Sequence, residues 1–209
     1  MIKLDNITKK IKNTTVLKDI SYTFTEGKIY GLYGRNGSGK TMLLRSISGL
    51  IVPTEGSIFI DDKQLHNDIS FPSSLGLIID TIELLPQYDA FTNLKILSKI
   101  KNVANDEDII TALDRVGLTS SINLKVKKYS LGMKQRLNIA QAIFEKPNII
   151  ILDEPTNAID ESGVQQVYKL LQEEKERGAI IIIASHNKDD INCLCDHILK
   201  IDKGCIIDG

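Results

Sequence analysis

Net charge is nearly absent from this chain: 27 acidic against 26 basic residues leave −1 over 209 residues. That balance excludes the basic excess or stripe expected of a nucleic-acid binder. Cysteine is scarce, with residues 193, 195 and 205 forming an odd set that lacks CxxC or CxxxxC spacing and a nearby histidine pair. A disulfide framework and a thiolate metal site are both excluded, and the three read as reduced and structural. Long apolar runs are missing as well, the longest lying near Ile149 to Leu152 and Ala179 to Ala184, far below the length that spans a bilayer. The opening Met1-Ile2-Lys3-Leu4-Asp5 has no secretory apolar region, so a soluble, cytoplasmic protein is expected. Internal repeats, low-complexity tracts and disordered linkers are not found, and the length suits one domain with a sizeable core.

What is present starts with Gly34-Arg35-Asn36-Gly37-Ser38-Gly39-Lys40-Thr41, which spells G-x-x-x-x-G-K-[ST]. Lys28 to Tyr33 before it reads as a buried strand, and Met42 to Ser48 after it continues a helix that begins near Lys40. Glycines at 34, 37 and 39 admit conformations closed to other residues, so successive N–H groups can turn inward around phosphate oxygens. The helix start adds unpaired amides, Lys40 a mobile charge for the outer phosphates, and Thr41 a hydroxyl for Mg²⁺. The stretch is expected to hold a nucleoside triphosphate. A chance glycine-rich turn of this spelling should arise in roughly one chain in a hundred of this length, and the flanking strand and helix lower that further.

Along the chain, residues 1–26 show short alternating segments, including Val16 to Leu17 and Ile20, Tyr22 and Phe24, with Glu26-Gly27 as a turn. Antiparallel pairing is predicted there. Pro53 to Gly56 reads as a turn and Ser57 to Ile60 as a strand. From about 81 to 146 the pattern is helical, with Phe91, Leu94, Leu97 and Ile100 on one predicted face. Ile109, Ile110, Leu113 and Val116 follow, stopped by Gly117, and then Met133, Leu137, Ala140 and Phe144, stopped by Lys146-Pro147. A helical insertion is predicted. Strand and helix alternate afterwards: Asn148 to Leu152, a helix faced by Val164, Val167, Tyr168 and Leu171 and capped by Gly178, then Ala179 to Ala184. The fold class expected is α/β with a mostly parallel sheet.

Ile149 to Leu152 ends in Asp153-Glu154, delivering two carboxylates to the sheet edge where open α/β folds bind ligands. Asp153 is placed to hold Mg²⁺ directly or through water, and Glu154 to polarise a water toward the γ-phosphate. Read without the glycine-rich loop, the same pair would be a polar strand end entering the Pro155-Thr156 turn.

With these residues in view, the chain resembles the nucleotide-binding domain of the ABC ATPases, and the resemblance runs through essentially all 209 residues. It makes Gly34 to Thr41, with Met42 beside it, the Walker A segment, Asp153 and Glu154 the Walker B pair, Asn157-Ala158-Ile159-Asp160 the D-loop and His186 the switch histidine. Ser130-Leu131-Gly132-Met133 takes the place of the signature; alone it reads as an ordinary helix N-cap. A helix start can present amides to a γ-phosphate, and in this family that phosphate belongs to the neighbouring subunit. The resemblance thus implies ATP and Mg²⁺ as ligands, a second ATP-binding subunit with a homodimer sufficient, and a separate membrane permease docked near Asp80 to Phe91. It places the protein on the inner face of the cell membrane through that permease. Leu131 and Met133 in place of the commoner glycine and glutamine, followed by Lys134-Gln135-Arg136, are similar to the version in bacterial drug and peptide-antibiotic exporters. The expected architecture is a P-loop core over about 1–80 and 147–209, with an antiparallel N-terminal β subdomain and a helical subdomain over about 81–146.

Two positions depart from the pattern. Ile11 stands where an aromatic stacks on adenine; an aliphatic side chain covers the base but forfeits stacking worth on the order of 1–3 kcal/mol. Asp80 takes the place of the Q-loop glutamine, where a carboxylate can still bind Mg²⁺ or its water, and Gln87 reads as a surface loop residue. Asn187-Lys188-Asp189-Asp190 spells the guanine motif of GTPases, yet the strand that should end in D-x-x-G ends Asp153-Glu154-Pro155-Thr156. Two other readings stay open: an ABC ATPase serving a non-transport machine, and a regulatory nucleotide sensor.

Overall fold

The computed structural model describes residues 1–79 and 84–208. Strands β1 (Ile2–Ile11) and β2 (Thr14–Phe24) pair antiparallel, and β1 also pairs with β4 (Glu55–Ile60), which carries the short β5 (Lys63–Gln64). Ile2 and Leu4 alternate with exposed Lys3 and Asp5, so this sheet buries one face. Strand β4 starts before the predicted Ser57, because Glu55 pairs with Thr8 across an irregularity in β1. The antiparallel N-terminal sheet expected from the alternation is present.

The second sheet holds β3 (Lys28–Tyr33), β6 (Leu75–Ile78), β7 (Ile149–Asp153), β8 (Ile180–Ser185), β9 (His197–Asp202) and β10 (Cys205–Asp208), in the order β10-β9-β3-β8-β7-β6. Only the β9–β10 pair is antiparallel. Its centre is buried on both faces, which is why β7 and β8 read as unbroken isoleucine runs rather than alternation. Ile150, Leu152, Ile181 and Ile183 pack into one core, while Ile149, Ile151, Ile180 and Ile182 pack into the other. Each such side chain contributes roughly 1.5–3 kcal/mol on burial.

Helix α1 (Lys40–Ile47) lies in the core shared with the antiparallel sheet. Helices α2 (Ala90–Lys101), α3 (Asp106–Arg115), α4 (Leu131–Ile143) and α5 (Glu161–Glu176) bury their apolar faces in the opposite core, joined by α6 (Lys188–Leu194). The three predicted helices of the insertion are therefore present. One part of the predicted pattern fails: Ile100 is 77% exposed, although Leu94 is fully buried. Nine residues separate Ile100 from Phe91, and at about 100° per residue that puts them on opposite sides of α2. Strand β6 has no counterpart among the sequence-predicted elements. Its four residues, Leu75-Gly76-Leu77-Ile78, gain strand character by pairing with β7, a partner more than 70 positions on. Among the described residues no helix is long and apolar enough to cross a membrane, and the three cysteines are unpaired.

Candidate nucleotide site

Between β3 and α1 the chain turns through Gly37 and Gly39, at φ 78° and 113°. Gly39 serves as the N-cap of α1 with no side-chain capping bond, so its helix presents unpaired amides at the loop. Lys40, the first helical residue, is buried, and its Nζ donates to the carbonyls of Gly34 at 2.7 Å and Arg35 at 3.3 Å. These bonds hold the ammonium inside the loop. The Ser38 hydroxyl is buried without a hydrogen-bond partner. The β9–β10 turn forms the loop's other support, since the Gly204 N–H donates to the Ser38 carbonyl at 2.8 Å.

A cavity of about 580 Å³ opens over this loop, bounded by Asn36, Gly37 and Lys40 on one side and by Asp153 and Glu154 on the other. That volume is within the range of small-molecule sites. The Thr41 hydroxyl donates to the Asp153 carboxylate at 2.6 Å, joining residues 112 apart in sequence. A hydroxyl and one carboxylate at a phosphate loop fit Mg²⁺, which keeps several waters and draws its remaining ligands from phosphates. No group of three or more acidic, histidine or cysteine side chains able to hold a metal occurs among the described residues. Asp80 lies outside the described residues, and Gln87 is exposed. Ile11 ends β1 at 42% exposure and is not in the cavity wall, whose matching stretch is Thr14, Thr15 and Val16.

At the end of β7 the backbone takes an abrupt turn, with Glu154 at φ 50°, a left-handed conformation that costs a non-glycine residue on the order of 1–3 kcal/mol. Surrounding bonds over-determine it. The Glu154 N–H donates to the Ala184 carbonyl at 2.8 Å, extending the ladder toward β8. Gln135 of α4 donates from Nε2 to the carbonyls of Glu154 and Pro155 at 3.3 and 3.1 Å. The Glu154 side chain is thereby presented to the end of β8, where its Oε1 accepts from the His186 N–H at 3.0 Å and bonds His186 Nδ1 at 2.8 Å. Ser185 Oγ donates to the other carboxylate oxygen at 3.3 Å. A carboxylate acceptor requires the hydrogen on Nδ1, which fixes the tautomer of a neutral ring.

Ser130 caps α4, accepting from the Met133 N–H at 3.2 Å, and Leu131 beside it is 71% exposed. None of residues 130–133 lines the cavity. Gly132 is required where it stands, because a Cβ there would lie 2.6 Å from the Ala158 carbonyl oxygen. Asp160, the N-cap of α5, accepts from Ser162 Oγ at 2.7 Å and from Arg136 of α4. The Ser162 hydroxyl and the Arg136 guanidinium hold its carboxyl below the usual aspartate range. The guanine-motif spelling is accounted for differently: Asn187 caps α6 by accepting from the Asp189 N–H, and Asp190 is engaged by two hydroxyls. Sequence reasoning named Gln135 and Val16 only as parts of local patterns and missed what they contact, and it missed Ser185, Thr14 and Thr15, polar residues without a local signature. Lys203-Gly204 was open to discovery as a hairpin dipeptide.

A family model described as ABC transporter matches residues 17–157. The chain belongs to that family. It is 68% identical over 204 residues to the ABC transporter ATP-binding protein YybJ of Bacillus subtilis (strain 168), covering 98% of this chain and 94% of the relative. The lantibiotic transport ATP-binding protein SrtF of Streptococcus pyogenes is 34% identical, with 99% and 89% covered. Among solved structures, a dimeric post-hydrolysis state of the ATP-binding cassette MJ0796 bound to ADP and Pi superposes at a TM-score of 0.89, at 25% identity over 100% of this chain and 97% of that one. This ABC protein is an ATPase, the ATP-binding subunit of a multi-component transporter, built on the P-loop cassette fold.

Proposed function

We propose that the chain drives an exporter by closing with a second ATP-binding subunit around ATP and reopening after hydrolysis. Gly34, Arg35, Asn36, Gly37, Ser38 and Gly39 cradle the phosphates, Lys40 neutralises the outer ones, and Met42, with Thr14 to Val16 of the cavity wall rather than Ile11, stands toward the nucleoside. Thr41 and Asp153 hold Mg²⁺, with Asp80 as a further ligand; the ion, when bound, offsets charge on the phosphate oxygens. Glu154 accepts the proton of the attacking water and His186 orients it. Ser130, Leu131, Gly132 and Met133, with Asp160, serve the nucleotide held by the partner subunit. Residues 1–80 and 147–209 act as the nucleotide-binding core and 81–146 as the helical subdomain that docks a separate membrane permease, which keeps the protein on the inner face of the membrane.

The observation that carries this reading is an incomplete pocket: Thr41, Asp153 and Glu154 converge on the cavity, whereas the exposed start of α4 is not in its wall. Charge-assisted hydrogen bonds from a second subunit, each worth roughly 1.5–3 kcal/mol, are enough in small number to shift the open and closed populations. Export of a peptide-type cargo is supported by kinship to a lantibiotic transport subunit, and pairing by the dimeric cassette of the same fold.

Glu154→Gln is expected to lower phosphate release by about 10² to 10⁴ while MgATP binding persists, and to accumulate as a dimer in light scattering at saturating MgATP. Near-normal turnover removes the role given to Glu154. A monomer throughout, even beside its membrane complex, removes the paired site. A polytopic membrane protein should be recovered with the tagged chain, and its absence removes the permease docking given to residues 81–146.

A further inference from the structure

Asp190 is 9% exposed, and no Lys, Arg or His ion pair to it is found among the described residues. Both of its carboxylate oxygens are instead bound by hydroxyls: Thr156 Oγ1 donates to Oδ2 at 2.5 Å, and Tyr168 Oη donates to Oδ1. A buried carboxylate served by neutral donors is costly to keep unless those donors are held in place. Burial first, and then the adjoining carboxylate, push the Tyr168 phenol far above its ordinary range, so it stays a donor.

The placement of these three residues gives the cluster its meaning. Thr156 lies two positions after Glu154, in the turn whose left-handed backbone presents that carboxylate. Asp190 lies four positions after His186, in the first turn of α6, and Tyr168 anchors both to α5. Bonds to Ala184 and Gln135 already hold the backbone of that left-handed turn at Glu154 and Pro155, and the Thr156–Asp190 bond is its link to α6. We propose that Asp190 is a positioning residue for ATP hydrolysis: by accepting from Thr156 it locks the turn that carries Glu154 to the segment that carries His186. The two groups then keep one register through each cycle of closure and reopening. This rests on the roles given above to Glu154 and His186.

The bond is tested in the full chain with Thr156→Val, which removes the hydroxyl and keeps the shape, Thr156→Ser, which keeps the hydroxyl, Asp190→Asn and the Thr156→Val/Asp190→Asn double variant. Expected for Thr156→Val and Asp190→Asn is a fall in kcat of about 10- to 100-fold, the scale of a small misplacement, with the MgATP dissociation constant held within about twofold. Thr156→Ser should retain kcat within about twofold, and the double variant should be no slower than the worse single, as for residues acting as one unit. Wild-type kcat in Thr156→Val overturns the proposal, as does an equal loss in Thr156→Ser or a loss that tracks nucleotide affinity. If Asp190→Asn does not fold, the threonine pair still reads the same bond. Glu154→Gln is assayed in parallel: substantial turnover there sinks both the role of Glu154 and this proposal, whereas an inactive Glu154→Gln beside a fully active Thr156→Val sinks the proposal alone.

Discussion

Lys40 shows how a single side chain prepares for a ligand. Two of its three N–H donors are committed to the Gly34 and Arg35 carbonyls, which satisfies the buried ammonium and leaves donor capacity for a phosphate oxygen. Lys40→Ala removes a charge-assisted bond of about 1.5–3 kcal/mol, so the ATP dissociation constant should rise by roughly 10- to 100-fold in a fluorescent-nucleotide titration. An unchanged constant would count against the phosphate loop itself. Lys40, Thr41 and Asp153 were legible because the spacing of the loop and the carboxylate after an apolar strand are local signals. Thr156 and Asp190 were not, since a threonine after proline and an aspartate at a helix start are ordinary until folding brings them to 2.5 Å.

At the scale of elements, β6 and α4 meet with almost no clearance. A Cβ on Gly76 would fall 1.8 Å from the Ala142 carbonyl oxygen, a backbone atom that cannot step aside. Gly76→Ala should therefore destabilise by about 1–3 kcal/mol or more, read as a lower urea midpoint; a wild-type midpoint would show that the strand edge yields. The helices of the insertion were readable from 3.6-residue periodicity and from the stops at Gly117 and Lys146-Pro147, whereas the capping box that Asn105 and the Asp108 carboxylate close at the start of α3 emerged with the structure. Strand β6 was not readable, because four residues carry too little periodicity and the strand depends on β7 for its pairing.

The whole molecule is closed by long-range staples as well as by its two cores. Asp196 accepts from Lys175 of α5 at 2.6 Å and from the Ile29 N–H of β3 at 2.8 Å. Partial burial acts to raise its carboxyl, but the Lys175 and Ile29 bonds outweigh it and hold the group below the usual value near 3.8. A depressed folded-state value means that the stabilisation is present above the unfolded value and is lost as pH falls through the folded one. Asp196→Asn should accordingly cost about 1.5–3 kcal/mol at neutral pH, with the gap in urea midpoint closing as the pH falls below 3.8. A gap of equal size in both pH ranges would remove the electrostatic account.

The chain alone determined its nest for phosphates, its helical periodicities and its two-sided core strands, because each depends on residues within a turn or a strand of one another. Only the tertiary structure decided which catalytic-type groups meet. Glu154 reaches His186, and Thr156 reaches Asp190, across 32 and 34 positions. Those distances are set by the parallel register of β7 on β8, in which Asp153 lies opposite Ala184. Register is a property of two packed strands and their shared cores, and neither strand carries it in isolation.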